Sequence, residues 1–185
     1  LAITTAGDLM TNAPLPFLFE NSDVALTMLY VLPGEGLPRE LPPHDVLFVA
    51  ISQSERTSGL LAELSRALAV WPGPVLNLPA GIANTSRAVA WQRLAGCDGL
   101  LMPATARASR AQLRALLAGE IELPALLAEG VYPLIIRPVD SHAGNGLDQL
   151  ADPQALADYL DGQAEETFFI SRFIRSTTPF TCSLV

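Results

Sequence analysis

Arg137 closes an apolar run, Tyr132-Pro-Leu-Ile-Ile-Arg137-Pro138, and a loop with two glycines, Asp140-Ser-His-Ala-Gly144-Asn-Gly146, follows almost at once. Such a run demands burial as a strand, so it would hold one positive charge rigidly in place. Glycine N–H groups can come close to an oxyanion, because no Cβ intervenes and positive φ is allowed. A fixed guanidinium beside a loop of this kind suits the binding of phosphate. Taken alone, the segment reads equally well as an ordinary strand followed by a glycine turn.

Other residues could join that chemistry. Arg87 falls in the first turn of a predicted helix, where the helix dipole opposes a cation. It reads as a phosphate contact or as a solvated surface residue. Arg137, inside an apolar run, is expected to need a buried anionic partner. His142 could donate a hydrogen bond over a phosphate while titrating near neutrality, or stand in solvent as a bystander. Gly7, Asp8 and Asn12 follow the first predicted strand at its carboxyl end, where α/β sheets usually receive ligands. They could touch a small substrate, or Asp8 and Asn12 could merely shape a turn. His44, between Pro43 and Asp45, reads as a loop residue, and Trp91 as packing.

The elements that must position these residues alternate between apolar runs and helical patterns, which indicates an α/β fold with a mainly parallel sheet. Strands are expected at Leu1–Thr5, Val24–Leu32, Asp45–Ala50, Pro74–Leu78, Leu100–Met102, the Tyr132–Pro138 run and Thr167–Ile174. The run Asp45–Ala50 lacks alternation, as a central parallel strand should. A brief helix is expected near Pro14–Phe19, and Pro33 to Pro43 reads as a loop. Leu60, Leu61, Leu64 and Leu68 mark the core face of a helix over Thr57–Val70. Asn84, Thr85 or Ser86 would cap a helix running to about Leu94. Ser109 would cap another through Leu117, closed by Gly119. Asp152 and Pro153 supply an N-cap and a first helical residue for a helix to about Leu160. Arg107, Arg110 and Arg114 suggest a basic, solvated helix face.

Composition narrows the function. Half of the 185 residues are hydrophobic and 16% are charged, enough for a substantial core. The net charge of −8 argues against nonspecific binding to nucleic acid or anionic membranes. All eleven basic residues are arginine, which excludes Schiff-base and other lysine chemistry. Cys97 and Cys182 lie far apart with no metal-ligand spacing, as free thiols of a cytoplasmic protein would. Glu120, Glu122 and Glu129 likewise lack metal-ligand spacing, and no residue of the chain is assigned to a metal. The stretch Ala67–Ser86 is uncharged but broken by prolines and glycines, so it is no membrane span.

Several pieces, in order, resemble the ATP-grasp superfamily. They are Pro74-Val-Leu-Asn77-Leu-Pro, Asn84-Thr-Ser-Arg87, Leu100-Leu-Met-Pro103, Pro133-Leu-Ile-Ile-Arg137-Pro, Asp140-Ser-His-Ala-Gly-Asn-Gly146 and Phe168-Phe-Ile-Ser-Arg-Phe-Ile174. The resemblance implies a Rossmann-like pre-ATP-grasp domain over 1–84, then part of the nucleotide-binding fold, a small α+β subdomain, over 85–176. It implies ATP as cofactor, with Arg87, Arg137, Ser141, His142, Ala143, Gly144, Asn145 and Gly146 against its phosphates. Phe169, Ile170 and Ser171 would belong to the strand that holds adenine. Where the family has lysine at two of these positions, this chain has Arg87 and Arg137. A guanidinium is longer and planar, so the geometry an ammonium uses is not automatically kept.

The resemblance also implies a second half of the fold, whose carboxylates and asparagine would hold magnesium. The tail 177–185 does not match it, and no acidic residue follows Glu166. The fold is therefore expected to be incomplete at its C-terminus and the chain a fragment, since it opens on Leu1 without a methionine. As written, it is not expected to turn over, because phosphoryl transfer without the metal forfeits its main charge neutralisation. The first reading is thus the amino-terminal portion of a ligase-like protein that activates a carboxylate through an acyl phosphate. Its partners would be a nucleotide and a small-molecule carboxylate. The alternative is a noncatalytic α/β module that binds a small ligand or a partner protein, as a homodimer through exposed apolar helices.

Overall fold

The computed structural model describes residues 1–8 and 10–175. It divides into two compact units between Val89 and Ala90. The architecture is mixed α/β, with a parallel sheet in the first unit and an antiparallel one in the second. The expected tail 177–185 and Cys182 lie outside the described residues. Among the described residues no helix is long and apolar enough to cross a membrane.

The first unit is built on β1 (Ala2–Thr4), β2 (Met28–Tyr30), β3 (Leu47–Val49) and β4 (Val75–Leu76), in the order β2-β1-β3-β4, all parallel. The apolar run around Phe48 is central, as its lack of alternation required. The expected strand Val24–Leu32 contracts to Met28–Tyr30, because the parallel partner it pairs with is itself only three residues long. A short helix, α1, covers Leu15–Leu18. Helix α2 (Glu55–Leu68) buries Leu60, Leu61, Leu64 and Leu68 against Ile3, Leu47 and Val49. Its N-terminus is closed by Ser54, whose hydroxyl accepts from Thr57 N at 3.1 Å while Thr57 Oγ1 accepts from Ser54 N at 2.9 Å. Helix α3 (Pro79–Ile82), a 3-10 turn (Ala83–Thr85) and α4 (Arg87–Leu94) follow.

In the second unit the strands are β5 (Thr105–Ser109), β6 (Leu134–Pro138), β7 (Asp148–Leu150) and β8 (Thr167–Arg172). Their order is β5-β8-β6-β7 and every pairing is antiparallel. One face packs Ala108, Leu134, Ile136, Leu150, Phe168 and Ile170 against α5 (Arg110–Leu117), α6 (Leu123–Leu126) and α7 (Pro153–Gly162). The strand expected at Leu100–Met102 does not form. Leu100 and Leu101 are exposed, Leu100 N closes a turn onto Cys97 O, and the pairing with β8 begins only at Thr105.

Both predicted caps of this unit are present. Ser109 Oγ accepts from Gln112 N at 3.2 Å, and Asp152 Oδ1 accepts from Ala155 N at 2.9 Å. The basic helix face is not. Arg107 lies on β5, and Arg110 turns inward to bind backbone carbonyls. Its Nε donates to Glu165 O at 3.0 Å, Nη1 to Leu160 O at 2.6 Å, and Nη2 to Gln163 O at 2.7 Å and Glu165 O at 2.6 Å. The same guanidinium lies 5.6 Å from the Phe168 ring centroid. It thereby satisfies one carbonyl from the last turn of α7, Leu160, and two just beyond that helix, Gln163 and Glu165. Arg114, by contrast, makes an exposed bridge to Asp161.

Arg110→Ala should therefore lower the unfolding free energy of the second unit by about 2–4 kcal/mol, since the part-buried carbonyls of Leu160 and Gln163 lose a charged donor. Arg114→Ala should cost about 0.5 kcal/mol or less, as an exposed pair does. Urea titrations of the two variants side by side test this; equal losses would contradict it.

Candidate functional site

Arg137 is the penultimate residue of β6 and is only 9% exposed. Its alternation with Ile136 turns the guanidinium away from the helix-packed core, onto the opposite face of the sheet. Directly across the ladder stands Phe169 of β8, and beyond it Arg107 of β5. Two guanidinium-bearing residues thus flank one aromatic ring in a row across three strands. Ser171, one pleat along β8, faces the same way between Thr105 and Ile135. Ile170 does not: its side chain is fully buried in the helix-side core, so only its backbone belongs to this face.

The β6–β7 connection, residues 139–147, carries the glycine loop. Arg137 Nε donates to Ser141 Oγ at 3.1 Å, and its Nη2 donates to Ser141 O. Two neutral serine oxygens thus orient the guanidinium. Two overlapping turns follow, Asn145 N donating to His142 O and Leu147 N to Gly144 O, each at 3.0 Å. Asp140, Ala143, Gly144 and Gly146 all have positive φ, at 64°, 52°, 80° and 63°. For Asp140 and Ala143 that conformation is uncommon and costs on the order of 1 kcal/mol each.

Gly146 answers a double requirement. Besides its positive φ, a Cβ there would meet Pro138 Cδ at 2.7 Å. Its carbonyl accepts a hydrogen bond from Tyr159 Oη at 2.5 Å. Tyr159 is 8% exposed on α7 and packs edge-on against Phe168. Burial pushes its hydroxyl up to about 12, with the Glu165 and Asp148 carboxylates adding to the rise and Arg137 opposing it. Tyr159 does not stand out in the sequence. At helical spacing with Leu156 and Leu160 it looks like core, and the remaining signal is that a buried phenol needs an acceptor.

The other predicted residues lie in the first unit. Arg87 is exposed at the start of α4, and the structure does not join it to Arg137 within one unit. Gly7, Asp8 and Asn12 do share one cleft, of about 540 Å³, with Phe17, Met28 and Tyr30 on its rim. Within it, Asp8 Oδ1 accepts from Met10 N at 3.0 Å and Thr11 Oγ1 at 2.9 Å. Asn12 clamps the backbone of Thr5, accepting from its N at 2.9 Å and donating to its O at 2.8 Å. Gly7 is required where Thr11 approaches, since a Cβ would overlap that side chain. The turn-shaping reading of Asp8 and Asn12 therefore has direct partners. His44 is the expected loop residue, bonded through Nδ1 to Pro42 O and stacked on Trp71.

No family model matches the sequence, and no curated protein does. The chain is similar to solved structures of an ATP-grasp protein and of ligases. A RimK-domain ATP-grasp protein from Sphaerobacter thermophilus superposes with a TM-score of 0.49 at 15% identity, over 95% of this chain and 65% of that one. The D-Ala:D-Ser ligase VanG from Enterococcus faecalis gives 0.48 at 19% identity, over 74% and 38%. D-alanine–D-alanine ligase from Helicobacter pylori gives 0.42 at 12%, over 70% and 37%. The chain thus spans less than two thirds of the length of each.

Two outcomes follow from the loop geometry. Gly146→Ala should destabilise by about 2–4 kcal/mol, combining left-handed strain with a clash, whereas Gly144→Ala, opening on empty space, should cost about 1 kcal/mol. Because the folded pKa of Tyr159 lies above its unfolded value, its contribution to stability is complete below pH 10 and lost as pH rises through about 12. Absorbance at 295 nm should accordingly resolve a tyrosine that titrates last; coincident titration of all tyrosines in the folded chain would refute this.

Proposed function

We propose that the chain is the amino-terminal portion of an ATP-grasp, carboxylate–amine ligase-like protein, and that its second unit binds the phosphates of ATP. In this reading residues 1–84 form a Rossmann-like domain ahead of the nucleotide fold, and 85–176 form the first part of that fold. The observation that carries the reading is the end of β6: a buried guanidinium bonded to Ser141 beneath a loop that holds four positive-φ residues. Strained backbone of this kind persists at ligand clamps, and successive N–H groups in such turns make concavities for anions.

The residues present fit a polyphosphate. Arg137 and the backbone of Ser141, His142, Ala143, Gly144, Asn145 and Gly146 would hold it. The base would lie along Phe169 and Ser171, whose side chains share the Arg137 face, and along the backbone of Ile170. When bound, ATP supplies the phosphoryl group that activates a carboxylate for attack by an amine. The chain's own contribution is binding and orientation: Arg137 offers a charge that does not vary with pH, and Gly146 allows close approach. Gly7, Asp8 and Asn12 would contact the small carboxylate. Magnesium is expected of a full-length family member. Among the described residues no group of three or more His, Cys, Asp or Glu could hold a metal ion, so no metal step is assigned to them. The net charge of −8 supports a protein that leaves nucleic acid and anionic membranes alone, and cysteines without metal-ligand spacing support a cytoplasmic one.

One observation favours the noncatalytic interaction module instead: Phe17, Leu18 and Tyr30 are 75%, 72% and 64% exposed on the first unit. Calorimetric titration with ATP, with and without magnesium, separates the two readings. Micromolar binding, weakened at least about tenfold by Arg137→Ala in a variant that still melts cooperatively, is the expected result. No heat with any nucleotide would instead support the interaction module.

A further inference from the structure

Both ends of the 139–147 connection are tied down by side chains of other elements, and the ties differ in kind. At the entry, Arg137 grips Ser141 through both a hydroxyl and a carbonyl oxygen. At the exit, Tyr159 reaches from α7 to the carbonyl of Gly146, and Pro138 leaves no room for a side chain there. Between the two ties stand His142, Ala143, Gly144 and Asn145, shaped by the two turns Asn145 N to His142 O and Leu147 N to Gly144 O. Ala143, Gly144 and Asn145 are exposed. Tyr159 itself has little freedom: it is buried, its ring sits against Phe168, and Arg110 holds the carbonyl of the next residue, Leu160.

We propose that Tyr159 is a positioning residue for the anion-binding loop, fixing Gly146 so that only the tip His142–Asn145 adjusts to a bound phosphate. This rests on the nucleotide reading above. A loop tied at both ends has less conformational freedom to lose when it closes on a ligand, so the tie favours binding of the phosphate-bearing part and not of the base. The hydroxyl touches neither base nor phosphate; it acts through the Gly146 carbonyl.

Tyr159→Phe removes the hydroxyl and keeps the ring. In the whole chain without nucleotide, amide exchange at Gly144 to Leu147 should quicken about tenfold, while exchange in β6 and β8 stays as in the wild type. ATP should bind about five- to tenfold more weakly, the effect of one lost hydrogen bond, and adenosine should bind unchanged. Leu156→Ala on the same helix is the control: it loosens packing without touching the loop, so it should leave the ratio of ATP to adenosine affinity at the wild-type value. Unchanged loop exchange in Tyr159→Phe, or equal weakening of ATP and adenosine, overturns the proposal. If the wild type binds no ATP, the nucleotide reading fails and the positioning role fails with it. The exchange measurement then still reports whether the tie itself exists.

Discussion

One guanidinium sets the geometry of the second unit. Arg110 stands where β5 becomes α5, and its N–H groups collect carbonyls from the end of α7 and from the approach to β8. A helix end and a strand start are thereby fixed to a third element by a planar fork that cannot lose its proton. The order of consequences runs outward from there. Once the end of α7 is held, Tyr159 is held; once β8 is held in register, Phe169 faces Arg137. The loop between β6 and β7 inherits its shape from both.

Arg137 faces the opposite problem. Arg110 is absorbed by backbone acceptors at an element junction. Arg137 lies near the end of an otherwise apolar strand, where a buried charge without partners would be strongly disfavoured. The loop resolves this by bringing the Ser141 oxygens back to it, and it does so in a conformation that puts Asp140 and Ala143 at positive φ. Backbone strain on the order of 1 kcal/mol per residue is thus offset by solvation of a guanidinium within the protein. A plain glycine turn joining two strands requires neither the arginine nor the strain, and their coincidence is what distinguishes this loop from one.

The parts legible in the sequence were those governed by local chemistry. Ser109 and Asp152 cap helices because a short side-chain oxygen beside an apolar periodic segment has few other uses. The β3 and β6 runs announced themselves by unbroken hydrophobicity, and Leu60, Leu61, Leu64 and Leu68 by period. What escaped was set by distant partners. Thr105–Ser109 has no strand propensity to speak of, and it is extended because β8 offers it an edge. Leu100–Met102 has the hydrophobicity and no edge. β7, three residues with two of them exposed, exists as the return arm of a hairpin. Arginines 107, 110 and 114 imitate a helical stripe, although a strand-to-helix transition runs through them. Of the candidate site, Arg137 and its loop were readable as a unit, whereas Tyr159 could not be told from a core residue without knowing that α7 ends beside Gly146.

The absence of lysine bears on how such a site could work. An ammonium is a point charge on a flexible stem, free to follow a phosphate but poor at holding a peptide group in fixed orientation. The fork of Arg137 does the second job already, meeting a hydroxyl and a carbonyl of one residue along one edge. In the nucleotide reading proposed above, a phosphate would meet a cation whose direction is set beforehand by the loop. The cost of ordering falls on folding and not on binding, which is the general route to affinity without added contacts. Arginine at this position is then more than a charge carrier. It couples the strand, the loop and, through Gly146 and Tyr159, the helix behind them into one preorganised unit.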